Sequence, residues 1–137
     1  MWSWLKAYLL YTWGGLHRYF GNANGLRREH LRAVHYFDRA CRADPSFHRA
    51  LVAGAVIRYR ELGEVDLAIT ALSTLLQTAP GHAEARFNRG MAYQEGGRYR
   101  EALADFRSYL QQARPGEEYY AEAQRMVALL GDLVEAG

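Results

Sequence analysis

The sequence is short of several things. It has a single cysteine, Cys41, so no intramolecular disulfide can staple it, and the thiol reads as a small core residue of a reduced compartment. Three prolines are present and none lies between residues 46 and 79, which leaves room for long helices. One lysine stands against sixteen arginines, a bias that points to a GC-rich, bacterial genome. No apolar run reaches the roughly 20 residues a bilayer-spanning helix needs. The N-terminus has neither the basic start nor the small-residue cleavage site of a secretory signal. There is no glycine-rich phosphate loop and no nucleophile–base motif, so no enzyme is expected. The five histidines (His17, His30, His35, His48, His82) include no i, i+4 pair. No cysteine or carboxylate completes a ligand set around them, so neither metal nor cofactor is expected.

What is present is apolar and unevenly charged. Half of the 137 residues are hydrophobic and 13% are aromatic, which excludes wholesale disorder and allows one domain with a real core. Residues 1–60 carry ten Lys/Arg against Glu29, Asp38 and Asp44. Residues 61–137 reverse the balance, with seven Arg against twelve acids. The basic half suits an anionic partner or a solvated helix face, while the negative second half argues against nucleic acid.

Residues 1–20 are the least ordinary segment. Trp2, Leu5, Leu9, Trp13, Leu16 and Phe20 share one helical face by i, i+3/i+4 spacing, and Trp4, Tyr8 and Tyr11 form a stripe beside it. A helix so apolar must be covered by something. One reading is an interfacial helix, with Trp and Tyr at headgroup depth and Arg18, Arg27 and Arg28 meeting anionic lipid. The other is an extended first helix that caps the rest of the chain or docks on a partner. Either way Trp2, Trp4, Leu5, Tyr8, Leu9 and Trp13 are the candidate membrane or partner contacts.

The middle of the chain repeats. Tyr59, Gly63, Ala68 and Leu76 recur 34 residues later as Tyr93, Gly97, Ala102 and Leu110. Glu61 and Ala79 recur as Glu95 and Ala113, and apolar type is kept at Ile57/Met91, Ile69/Leu103 and Leu72/Phe106. A fixed period of this size marks stacked helical repeats. Helices are predicted over about 26–43, 47–61, 65–78, 82–95, 99–112 and 117–134. Asn22–Gly25, Gly63, Gly96-Gly97 and the three prolines punctuate them. With the N-terminal helix this makes seven, joined by short turns.

A 34-residue helix–turn–helix with Gly at the turn, Ala in the second helix and Pro after it resembles the tetratricopeptide repeat (TPR). The resemblance implies an all-α, right-handed solenoid of antiparallel helix pairs. Its units would be a divergent first one over 14–48, then 49–82 and 83–116, with 117–137 as a C-terminal capping helix. In the first unit Asn24 stands where the pattern has Tyr and Arg28 where it has Gly. The family implies a non-enzymatic scaffold that lays a partner's peptide or helix in a concave groove lined by the first helix of each unit. Here that groove would use Arg18, Asn22, Ile57, Arg60, Glu84, Phe87, Asn88, Met91 and Gln94. Chaperone-binding members hold a C-terminal carboxylate with Lys/Arg and Asn side chains. Arg18 and Asn22 match the first pair, but Gly54, Glu84 and Asn88 do not match the rest, and Glu84 would repel a carboxylate. An apolar groove around Ile57, Phe87 and Met91 is expected instead, in a cytoplasmic adaptor with or without peripheral contact to the cytoplasmic face of a membrane. The rival reading is a small permanent subunit or assembly factor of a membrane complex, docked through residues 1–20. Small TPR proteins that assemble photosynthetic membrane complexes have a broadly similar layout, though no residue here singles them out.

Overall fold

The structure is a computed structural model and describes residues 2–137. Among the described residues there are seven helices: α1 (Trp2–Asn24), α2 (Arg27–Ala43), α3 (His48–Arg60), α4 (Val65–Thr78), α5 (Ala83–Glu95), α6 (Tyr99–Gln112) and α7 (Tyr120–Ala136). The chain clusters into two compact units, a first ending at Ala68 and a second spanning Ile69–Gly137.

In the first unit α1 packs on α2, and α2 on α3. Only the smallest residues of α1 are buried: Ala7, Gly14 and Gly21, seven apart and so on one side of the helix. Without side chains there, α2 comes close. A Cβ on Gly14 would lie 2.8 Å from the ring of Phe37, and one on Gly21 would lie 2.7 Å from that of His30. Phe37 is the largest member of the core, which also holds Ala33, Val34, Ala53, Ile57 and Leu62. The large residues of α1 therefore point the other way. The face picked out by spacing in the sequence is real, but it is the outer one.

In the second unit α5 packs on α6, and α6 on α7. The core is Phe87, Leu103, Phe106, Tyr109 and Leu130 with Ala102 and Ala123 between them. Gly90 is the close-approach point, since a Cβ there would meet the Phe106 ring at 2.9 Å.

The turns after α3 and α5 are built alike. Gly63 and Gly97 both take positive φ, 69° and 72°. In each case the next residue's N–H reaches back to a helix carbonyl, Glu64 N to Arg58 O at 2.9 Å and Arg98 N to Tyr93 O at 2.8 Å. This is the glycine-terminated close that gives a carbonyl of the last turn a partner at little conformational cost. At α7 the structure differs from the expected start near residue 117. Glu117 accepts from Arg114 N at 3.1 Å through Oε1, so it closes the preceding turn and the helix begins three residues later.

Cys41 packs at the edge of the first core. Burial first, and then the nearby Asp38 carboxylate, push its thiol up to about 11. Two units above the usual value leaves about a hundredfold less thiolate at neutral pH. The native chain should therefore react with a disulfide reagent about a hundredfold more slowly than the same chain in denaturant. Equal rates in the two solvents would show that this edge of the core stands open.

Candidate functional site

Four of the nine expected groove residues meet in one place. Between α1 and α3 lies a cleft of about 420 Å³ lined by Arg18, Gly21, Asn22, His30, Val56, Ile57, Arg60 and Glu61. Arg18 is half-buried, its guanidinium 6.0 Å from the Phe37 ring, which fixes the side chain by a cation–π contact. Arg60 is exposed at the end of α3. Neither arginine pairs with a carboxylate among the described residues. Asn22 Oδ1 lies 2.8 Å from His30 Nε2, and this contact orients the amide with its NH2 left to donate. Ile57 is 2% exposed, a core residue that backs the cleft. The result is a small polar recess with two cations, one amide donor and a single acid, Glu61.

A second cluster joins His17 and Glu29, the sequence neighbours of Arg18 and His30. His17 Nδ1 lies 2.6 Å from Glu29 Oε2, and Arg32 donates to Glu29 Oε1 at 2.9 Å. The hydrogen bond from His17, and then the charge of Arg32, hold the Glu29 carboxyl below its usual range. The stacked rings of His17 and Tyr36, 5.4 Å apart and parallel, tie the same network to α2.

The other five expected groove residues stand along α5, in the second unit. Glu84 is exposed and Gln94 half-buried, whereas Asn88 is buried and donates to Glu84 O at 2.9 Å. Met91 packs half-buried against the core of this unit. Phe87 is 5% exposed. Tyr119, arriving from the turn before α7, stacks on it at 4.5 Å, and Phe106 and Tyr109 close in at 5.6 Å. Phe87 and Ile57 are therefore core residues, and the apolar groove expected from Ile57, Phe87 and Met91 is not presented as open surface. No local pattern in the sequence connects Tyr119 with Phe87, 32 residues earlier. Burial, and then the nearby Glu84 carboxylate, raise the Tyr119 hydroxyl to about 12.

The expected docking residues are exposed: Trp2 at 81% and Leu9 at 59%, with Trp4, Leu5, Tyr8 and Trp13 between those values and about 40%. No described helix is long and apolar enough to cross a membrane. Nor do three His, Cys, Asp or Glu side chains gather to hold a metal among the described residues. His82 instead caps α5, its Nδ1 accepting from Ala85 N at 3.2 Å.

Helix hairpins closed by left-handed glycines, with a recess on the first-helix side, define a helical-repeat scaffold. A family model described as Tetratricopeptide repeat matches residues 56–130, more than half of the chain, and the chain belongs to that family of protein-interaction scaffolds. No curated protein matches the sequence. Among solved structures the first TPR of Spaghetti (RPAP3) bound to an HSP90 peptide, SRMEEVD, is similar, with a TM-score of 0.79 at 19% identity over 96% of this chain and 95% of that one. The Arabidopsis OM64 TPR domain gives 0.74 at 20% identity, over 93% and 98%. The second TPR domain of human RPAP3, in complex with an HSP70 peptide, gives 0.67 at 18%, over 91% and 98%. These likenesses are of fold.

Proposed function

We propose that the chain is a non-enzymatic adaptor that takes an acidic peptide segment of a partner protein in the cleft between α1 and α3. The observation that carries this reading is the pair Arg18 and Arg60, two cations on opposed helices without a carboxylate partner, beside the oriented amide of Asn22. Guanidinium groups suit planar carboxylates, and a charge-assisted hydrogen bond is worth about 1.5–3 kcal/mol. The peptides bound by the Spaghetti and second RPAP3 domains, SRMEEVD and SGPTIEEVD, are themselves acidic, which supports the class of ligand. The lack of matching polar residues at Gly54, Glu84 and Asn88 argues for a different partner sequence from theirs.

The test is a binding titration of the whole chain against fluorescent acidic peptides with free or amidated C-termini. Arg18→Ala with Arg60→Ala is expected to weaken the best binder at least about tenfold. Unchanged affinity in that double variant would remove the cleft as the peptide site.

The second part of the reading concerns α1. Its exposed aromatic face favours a docking element that brings the scaffold to a surface, whether as an adaptor or as an assembly factor or small subunit of a membrane complex, photosynthetic complexes included.

A further inference from the structure

The outer face of α1 is apolar from end to end. Trp2, Leu5, Leu9, Trp13, Leu16 and Phe20 are all exposed along a 23-residue helix, about 34 Å long. The polar residue in the middle of that face does not interrupt it, because the Thr12 hydroxyl turns back and donates to Tyr8 O at 2.9 Å. Against α2 the same residues frame a hollow of about 520 Å³ between Trp2, Leu5, Leu9, Leu10, Trp13 and Tyr36.

The border of this face is basic. Lys6 of α1 lines a recess together with His35, Arg39 and Arg42 of α2. Arg39 lies 5.7 Å from the Tyr36 ring, so cation and aromatic hollow adjoin. Of the two acids on α2, Glu29 is held by His17 and Arg32, and Asp38 accepts from Arg58 of α3 at 2.7 Å. α1 has no acid at all. Lys6, Arg39 and Arg42 thus have no carboxylate partner among the described residues. The sequence suggested Arg18 for this role, but Arg18 turns to the Phe37 ring and the cleft.

We infer that this face binds an anionic lipid bilayer, with the α1 side chains entering the headgroup region and Lys6, Arg39 and Arg42 meeting lipid phosphates. Trp and Tyr favour that depth, and basic residues beside a partly inserted helix draw it to anionic lipid. A second copy of the chain fits less well. In a self-complementary contact through this face α1 brings no acid of its own to answer Lys6, Arg39 and Arg42. The inference rests on the reading of α1 as a docking element and names what it docks on.

All three tryptophans, Trp2, Trp4 and Trp13, lie on α1, so their emission reports the contact directly. The whole chain is mixed with vesicles of phosphatidylcholine alone, or with about 30% phosphatidylglycerol. Blue-shifted emission and co-sedimentation are expected with the anionic vesicles and are expected to weaken with salt. Arg39→Glu with Arg42→Glu should lower partitioning at least about 25-fold, about fivefold for each cation lost. Leu5→Asp with Leu9→Asp should abolish it, and both pairs are exposed, so circular dichroism should stay unchanged. Arg18→Ala with Arg60→Ala should leave vesicle binding intact, which separates this surface from the peptide cleft. Equal binding to both vesicle types, unaffected by the Arg39/Arg42 variant, would overturn the inference. Self-association lost in the Leu5/Leu9 variant, without vesicle binding, would give the face to a second copy and leave α1 as a docking element. The absence of both vesicle binding and self-association would overturn the inference and leave α1 to dock on a partner protein.

Discussion

Asp105→Ala is expected to destabilise the second unit by about 3–5 kcal/mol, the cost of leaving a charge without its buried partner. Asp105 is 4% exposed on α6, and α5 supplies its counter-ion. Arg89 donates through Nε and Nη2, both at 2.7 Å, one to each carboxylate oxygen. Its third nitrogen donates to Ser73 Oγ at 3.2 Å, and Arg86 stands 3.7 Å away on the other side. The bond to Asp105 raises Arg89 above its usual value. A planar fork matched to a carboxylate in this way is the strong kind of ion pair, unlike the exposed Arg98–Glu101 and Arg125–Glu122 pairs of the same unit. Truncation of Asp105 strands a guanidinium that is itself four-fifths covered. A urea titration of the whole chain would show the loss as a lower midpoint. Arg89→Leu with Asp105→Leu should recover part of it, since the closest pair of charges goes together and only Arg86, which also donates to Pro80 O, loses a neighbour. A change below about 1 kcal/mol for Asp105→Ala would place the pair among ordinary surface contacts.

That pair also shows where the sequence was readable. Arg89 and Asp105 lie 16 residues apart on separate helices, and no periodic rule connects them. The 34-residue repeat was readable because it is written in residues whose roles are local. Gly63 and Gly97 recur because both turns need positive φ, and Gly90 sits where Phe106 leaves no room for a Cβ. Helix ends followed the same local chemistry, apart from α7, where Glu117 was claimed by the turn. The cleft was half legible. The repeat register put Arg18 and Asn22 on the inner side of α1 and Arg60 on that of α3, and the structure brings them together. Phe87 fell into its own core because Tyr119, more than 30 residues on, happens to cover it.

α1 is the instructive case. An apolar stripe at helical spacing usually faces the core, and here it faces out. The signal that decides the matter was in the sequence as the spacing of the smallest residues, Ala7, Gly14 and Gly21, rather than of the largest. Small residues in a row let two helices approach closely and bury backbone and ring against one another. The large residues are then left over, and their exposure is a consequence of how α1 packs.

If the seating of α1 depends on that row, its counterpart on α2 should be among the most sensitive positions in the chain. Phe37→Ala is expected to cost about 3–5 kcal/mol, the range for emptying a buried aromatic site. The ring is 1% exposed and closes on Gly14, with Tyr11 at 5.6 Å and the Arg18 guanidinium at 6.0 Å, while Gly54 of α3 lies against the Phe37 Cβ. Gly14 has no side chain to move into the space the ring leaves, so the site collapses poorly. Phe37→Leu, which keeps most of the volume, should cost markedly less. The three tryptophans of α1 make its detachment visible, and in Phe37→Ala their emission should change at lower denaturant than the helical signal of the chain as a whole. The same variant should weaken peptide binding more than Phe37→Leu does, because the ring also positions Arg18 over the cleft. Coincident transitions by the two probes, with peptide affinity unchanged, would mean that α1 is held by its ends and not by the Gly14–Phe37 contact.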